Sequence, residues 1–267
     1  MRSMFARAGS LLGMGVVSAA RLSGGNLSSV SRLTLADGRT VIAKQGPLVE
    51  EEATMVLAIC KTDVPVPAML AVEKGLMLLE DMPSTGPIGR SWGQLADVLD
   101  HLHRPTGERL GWDKHYAFGP VTITNGRADD WVAFWAEKRL ACHLAHLEPH
   151  LAHRVSKLAD RLADYIPRTP AAALLHGDLW GGNILIDQDQ ISGLIDPACY
   201  YGDREVDLAM LGLFDQPPSA FYEACGLEPG WRERQPVYRL WPLLVHVRLF
   251  GGAYHQQAGS CLAALGF

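Results

Sequence analysis

The stretch "LLHGDLWGGNILI", residues 174–186, decides how this chain of 267 residues is read. It sets His176, Asp178 and Asn183 between two apolar runs of strand-like character. A short polar insert of this kind is either a tight turn or a loop presenting an acid/base group and a metal ligand. The continuation, "DQDQISGLIDPACYYGDREVDLAM" (187–210), bears on the choice. Another strand-like run ends there at Asp196, so a carboxylate, an amide and a second carboxylate follow in order.

Phosphoryl transfer needs such a set. An acceptor hydroxyl must be held in line, a group must take its proton, and oxygen ligands must hold Mg²⁺ against the phosphates. Asp178 is the candidate base. Asn183 and Asp196 offer the hard oxygen donors that suit magnesium. The order is that of protein kinases, with His176-Gly177-Asp178 in place of His-Arg-Asp and Asp196-Pro197-Ala198 in place of Asp-Phe-Gly. His176 reads as a brace of the loop, since the chemistry already has its base. Asp207, on a following helix pattern, reads as a carboxylate that steadies the same loop.

The N-terminal third supplies the other parts. Gly24-Gly25-Asn26 joins two strand-like runs, where backbone N–H groups can cover a phosphate. Lys44 ends the strand-like "TVIAK", and Glu52 lies on the helix pattern that follows, placed to pair with it. Each feature alone has an ordinary reading. Gly-Gly-Asn is a common turn, and most lysines are solvated. The order of glycine turn, Lys, Glu helix, linker, Asp, Asn and Asp separates this chain from a coincidence.

Composition excludes several alternatives. The net charge of −5 gives no reason to expect a nucleic-acid partner. The five cysteines (Cys60, Cys142, Cys199, Cys225, Cys261) are scattered without a CxxC pair, which suits buried thiols in a reducing cytosol. The N-terminal "MRSMFARAGSLLGMGVVSAAR" faintly resembles a targeting segment, but glycine and serine interrupt it and no clean cleavage site follows. No window reaches the roughly 18–20 apolar residues of a membrane span, so a cytoplasmic protein without a membrane partner is expected. His101 and His103, two apart on a helix pattern, point to different faces and do not suggest a shared metal.

Strand-like runs around the turn Ala36-Asp37-Gly38-Arg39 predict a hairpin. "LVEEEATMVLAICKT" predicts a helix stopped by "VPVP", and "GLMLLED" a buried strand. Beyond the loop-like "MPSTGP", helical spacing dominates: Trp92, Leu95, Leu99 and Leu102, then Trp131, Phe134, Trp135 and Cys142, and finally an apolar segment from Val237 to Leu262. The expectation is an α+β, bilobal protein-kinase-like fold. It places a small β-rich nucleotide-binding N-lobe at 1–80, a hinge at 81–87 and a larger, mostly helical C-lobe at 88–267.

The runs "HGDLWGGN" and "DPACYYGDREVDLAM" resemble the fructosamine kinase / ketosamine-3-kinase family, within the aminoglycoside-phosphotransferase and choline-kinase-like superfamily. "RLSGGN", "EEATMVLAI", "LEDMP", "WVAFWAEKRL", "ERQPVYRLWPLL" and "RLFGGAY" extend the likeness over most of the chain. The resemblance implies ATP with Mg²⁺, and transfer to O3 of a ketosamine, the sugar adduct that glycation leaves on a protein or metabolite amine. The phosphorylated adduct is then lost spontaneously, which is deglycation. Main-chain groups around Glu80–Met82 are expected to meet adenine. Trp180 reads either as lining the sugar or amine side of the cleft or as packing of the lobe, and Arg204 either as a structural ion pair with Glu205 or as a residue that orients substrate. Two positions depart from the family pattern: Gly181 stands where Ser is usual, and Asp203 where other members have His. The rival readings are a kinase of the same fold acting on another alcohol, such as an aminoglycoside or a choline-like amine, and a nucleotide-binding pseudokinase.

Overall fold

The structure, a computed structural model, describes residues 3–22 and 28–267. The chain begins with α1 (Met4–Leu12), β1 (Val16–Arg21), β2 (Ser29–Leu35), β3 (Thr40–Gln45), α2 (Val49–Ile59), β4 (Met69–Glu73) and β5 (Leu76–Glu80). It continues with α3 (Trp92–Leu102), β6 (Tyr116–Phe118), β7 (Val121–Ile123), α4 (Trp131–Trp135), α5 (Pro149–Asp160) and β8 (Ala173–Leu175). It ends with β9 (Ile184–Asp187), β10 (Gln190–Leu194), β11 (Tyr200–Gly202), α6 (Glu205–Phe214), α7 (Ser219–Ala224), α8 (Trp231–Phe250) and α9 (Ala253–Ala264). Two compact units result. One comprises Met1–Ser91 with Ile184–Pro197, the other Trp92–Asn183 with Ala198–Phe267.

The first unit is built on an antiparallel sheet of order β1-β2-β3-β5-β4. Side chains alternate across a strand, so each strand serves both faces. Leu33, Leu35, Val41, Ala43, Leu76 and Leu78 form one face and pack with Ala8 of α1. Ile42, Met77 and Leu79 form the other and pack with Val49 and Ala53 of α2. Lys44 shares the parity of Ile42, so the strand itself delivers it to the α2 side. The turn between β2 and β3 closes as its residues predict, with Gly38 at φ 86° and the Asp37 carboxylate accepting the Arg39 N–H at 3.1 Å.

Within the N-terminal run, Met4–Leu12 form a helix packed on the sheet. Ser3 caps α1 by accepting the Ala6 N–H at 3.3 Å, and Gly13 ends it at φ 65°. Met4, Ala8 and Leu12 recur at helical spacing and cover the sheet. The hairpin of β9 and β10 joins this unit from far along the chain. Thr85 N–H donates to the Ile186 carbonyl at 2.7 Å, Ser192 Oγ to the Pro83 carbonyl at 2.7 Å, and Leu194 N–H to the Pro65 carbonyl at 2.8 Å.

The second unit packs helices around a knot of aromatic rings, with β8 paired to β11 and β6 to β7. The helical stripe expected from Trp131 to Cys142 is not a single helix. It passes from α4 into a π-helical turn (Ala136–Leu140) and then a 3₁₀ segment (Ala141–His146). Arg139 lies in that turn and is wholly buried. Its guanidinium sits 4.3 Å from the Tyr200 ring centre, 4.7 Å from Phe134 and 4.9 Å from Trp241. It donates to the Thr124 carbonyl at 2.6 Å and to Asn125 Oδ1 at 2.8 Å. The apolar segment from Val237 to Leu262 also divides, into α8 and α9. Gly251 and Gly252 break it at φ 62° and 55°, conformations that glycine reaches most readily. Among the described residues no helix is long and apolar enough to cross a membrane.

Replacing Arg139 removes the donor from the Thr124, Lys138 and Asn125 oxygens and leaves a gap among the rings. Arg139→Leu is expected to lower unfolding stability by about 3 kcal/mol, the cost of leaving these acceptors without their donor in the core. Chemical denaturation measures it, and a loss within the experimental scatter of wild type would contradict this reading of the core.

Candidate active site

Three of the expected residues meet in the first unit. Lys44 Nζ donates to Glu52 Oε1 and, at 2.8 Å, to Asp196 Oδ1. The Lys44 and Glu52 side chains are 5% and 3% exposed, while Asp196 keeps 35%. Burial alone would depress the Lys44 ammonium, but the Glu52 carboxylate, then Asp196, outweigh it and hold its pKa above the ordinary value. The amine is therefore fixed as a cation. Glu52 lies in the first turn of α2, where the helix dipole also favours a carboxylate. Asp196 closes the strand run of β10 in the left-handed region, at φ 57°, a conformation Asp tolerates better than most residues. One ion of the three thus faces solvent, and the other two are anchored.

Asp178 and Asn183 meet in the second unit, on the loop after β8. Asn183 Nδ2 donates to the Asp178 carbonyl at 2.8 Å and to Asp178 Oδ2 at 3.1 Å. With both amide hydrogens used inside the loop, the Asn183 side-chain oxygen is the atom left to ligate. The loop hangs on Asp207 of α6, which is fully buried. Its carboxylate accepts the His176 N–H at 2.8 Å, the Gly177 N–H at 2.9 Å and the His103 Nε2 contact at 2.9 Å. Burial pushes the Asp207 pKa upward, but the bond and charge of His103, then His176 and the Gly177 N–H, reverse that and hold it below the usual range. Asp178 N–H points back to His176 Nδ1 at 3.3 Å, so His176 braces the loop from within.

Gly177 cannot carry a side chain. Its φ is 77°, and a Cβ there would overlap the Ala198 carbonyl oxygen and press on the Tyr200 ring. The family departure at Gly181 also has a local cause. A Cβ on Gly181 would overlap the carboxylate of Asp215, which accepts the Gly181 N–H at 2.7 Å. Asp203, the other departure, is a buried acceptor for the Tyr238 hydroxyl at 2.7 Å and the Glu205 N–H at 3.0 Å.

The remaining expected residues are dispersed. Glu80 ends β5 and accepts the Ala68 N–H through its side chain at 3.1 Å, while Met82 lies over Gly193. Trp180 follows Asp178 on the loop and is 43% exposed. Arg204 donates to the Cys225 carbonyl and lines a cavity of about 610 Å³ with His103, Asp203, Glu205 and Arg234. Gly24, Gly25 and Asn26 lie outside the described residues. Two residues that sequence reading misses are His103 and Asp215. For His103 a signal exists: it stands one helical turn beyond Leu99 and continues the buried stripe of α3.

The depressed Asp207 pKa has a sign that can be tested. A carboxylate held lower in the folded state contributes stability that is full above its unfolded pKa of about 3.9 and is lost as pH falls through the folded value. Asp207→Asn is expected to cost roughly 3 kcal/mol, the price of breaking a buried pair. Melting scans from pH 7 downward should show a constant gap to wild type above about pH 4 and a narrowing gap below it. A gap that widens on acidification would contradict the assignment.

Residues 19–265 match the family model for fructosamine kinase. A Synechocystis protein named "Probable ketoamine kinase" is 40% identical over 183 residues, 64% of this chain, and the match spans 61% of that relative's length. A crystal structure of a fructosamine-3-kinase candidate from Thermobifida fusca superposes with a TM-score of 0.88 at 31% identity, covering 98% of both chains. A crystal structure of an aminoglycoside phosphotransferase, complexed with ADP and hygromycin B, superposes at 0.70 with 16% identity over 98% of this chain and 99% of its own. That last likeness is one of fold. The α+β, kinase-like architecture expected from the sequence is therefore the architecture of this protein, and the chain belongs to the fructosamine kinase family.

Proposed function

We propose that this protein is an ATP-dependent kinase that phosphorylates the 3-hydroxyl of ketosamines, serving deglycation of proteins or metabolites. The observation that carries the kinase part is the buried Lys44 cation, held by Glu52 and Asp196. A lysine fixed in this way is a permanent positive charge suited to the phosphates of ATP. Membership of the fructosamine kinase family supports the ketosamine part.

The residues divide the work. Asp178 takes the proton of the acceptor hydroxyl. Its carboxylate is oriented by Asn183, and its loop is held by Asp207, so little reorganisation is needed when the acceptor binds. Lys44 neutralises phosphate charge, and Glu52 keeps its ammonium in place. Main-chain groups at Glu80–Met82 meet adenine, and Gly24, Gly25 and Asn26 cover the phosphates. Trp180 and Arg204 serve the acceptor side.

The donor set fits Mg²⁺. Asn183 offers an amide oxygen and Asp196 a carboxylate, both hard donors. Among the described residues no group of three or more His, Cys, Asp or Glu forms an all-protein metal site. A magnesium bound with nucleotide needs none, because phosphates and water supply the other ligands. When bound, the ion would neutralise charge on the phosphate oxygens.

Asp178→Asn is expected to lower kcat at least roughly 10²-fold with ketosamine and ATP, the lower end for a positioned general base. Near-wild-type turnover would remove Asp178 from that role. A panel of ketosamines, aminoglycosides and choline, followed by ATP consumption, tests the substrate. A productive aminoglycoside or choline beside inert ketosamines would overturn the proposal.

A further inference from the structure

The Asp215 carboxylate lies outside both clusters of the candidate site yet is bonded to the loop between Asp178 and Asn183. It follows Phe214 at the C-terminal end of α6, where the helix dipole is negative and a second negative charge is locally unfavourable. It is part-buried, and among the described residues it has no cationic partner. Its one polar contact among the described residues is the Gly181 N–H, at 2.7 Å. Burial raises its pKa above the ordinary value, partly offset by that single bond. A part-exposed acid at its own helix C-terminus, without a counter-charge among the described residues, is open to pair with a cationic ligand.

Its position says which partner. Gly181 lies in the loop between Asp178 and Asn183, so Asp215 is bonded to the segment that carries the candidate base. Gly181 has no side chain at the point where the Asp215 carboxylate sits, and a Cβ there would overlap it. Trp180 directly precedes Gly181, and its ring, which lies against Gly182, is an exposed aromatic of the kind that accepts cations and sugar rings on its face. A carboxylate and an open indole held on the same three-residue stretch of loop are the groups that receive an organic ammonium.

We infer that Asp215 is the subsite for the protonated amine of the acceptor, and that Gly181 is small in order to admit it. This deepens the ketosamine reading and rests on it. A ketosamine differs from a plain sugar by its secondary amine, an alkylammonium at neutral pH. Asp215 supplies the ion pair that selects the adduct over the free sugar, and Trp180 covers the neighbouring face.

The test uses two probes that share the sugar and its 3-hydroxyl. One is a 1-alkylamino-1-deoxyfructose, and the other is the 1-O-alkyl ether, in which oxygen replaces the amine. Calorimetry gives their dissociation constants for wild type, Asp215→Asn and Gly181→Ala, and product assays give kcat/KM. Wild type should prefer the amine. In Asp215→Asn, which keeps an acceptor for the Gly181 N–H, the amine-to-ether preference should fall at least about tenfold, as expected for loss of a charge-assisted contact. Gly181→Ala should lower the same ratio, and the double variant should fall no further than Asp215→Asn alone. Asp215→Asn should also melt at or above the wild-type temperature, whereas a merely structural aspartate would lower it. An unchanged ratio in Asp215→Asn, or a wild type that binds both probes equally, overturns the inference while leaving transfer to ketosamines intact. A wild type that binds neither probe sinks the ketosamine reading and the subsite together.

Discussion

The buried Asp207 carboxylate holds the loop that carries the candidate base. Its carboxylate has no access to water, so each oxygen must be satisfied by the protein. Two backbone N–H groups of the loop and the His103 ring do this. The arrangement fixes the loop at His176 and Gly177, directly before Asp178. Gly177 must then turn through a left-handed conformation against the Ala198 carbonyl, which excludes any side chain there. The loop closes on itself through Asn183, whose amide binds Asp178 twice. Base and metal-ligand candidate are thus set by one buried acid and one amide, not by the flexibility of a surface turn.

The first unit solves a different electrostatic problem. A buried lysine is unfavourable unless its charge is matched, and here two carboxylates match it. Sheet parity brings Lys44 to the face of α2, and the first turn of that helix brings Glu52. Asp196 arrives from far along the chain at the end of β10. Because Glu52 is enclosed and Asp196 is partly open, the triad presents one exposed anion and a cation that cannot titrate near neutrality. The uncompensated Asp215 of the second unit is the converse case, an acid whose match is missing among the described residues.

Much of this was legible in the sequence because the chemistry is carried by short runs. The order Lys44, Glu52, Asp178, Asn183, Asp196 points to phosphoryl transfer before any fold is known, and β-rich and helical patterns separate the two halves. Other features depend on residues distant in sequence. Lysine is solvated by default, so only the β3–α2 packing reveals that Lys44 is buried. The smallness of Gly181 makes sense only once the Asp215 carboxylate, thirty-four positions later, lies over it. In the sequence His103 reads only as one of two histidines on different helix faces. Its actual partner, Asp207, is a hundred residues away. Local irregularities were hidden for a simpler reason. Apolar spacing does not distinguish an α-helix from the π turn at Arg139, and glycine and serine masked the amphipathic stripe of α1.

Phosphate placement on the product is the most direct test of the central claim that these two clusters serve a ketosamine kinase. Wild type, ATP and magnesium are incubated with a 1-alkylamino-1-deoxyfructose, and the product is resolved by phosphorus–proton correlation NMR. One phosphate per sugar is expected, coupled to the proton on C3. A phosphate coupled to another carbon, or no phosphorylated sugar beside active transfer to a different alcohol, would contradict it.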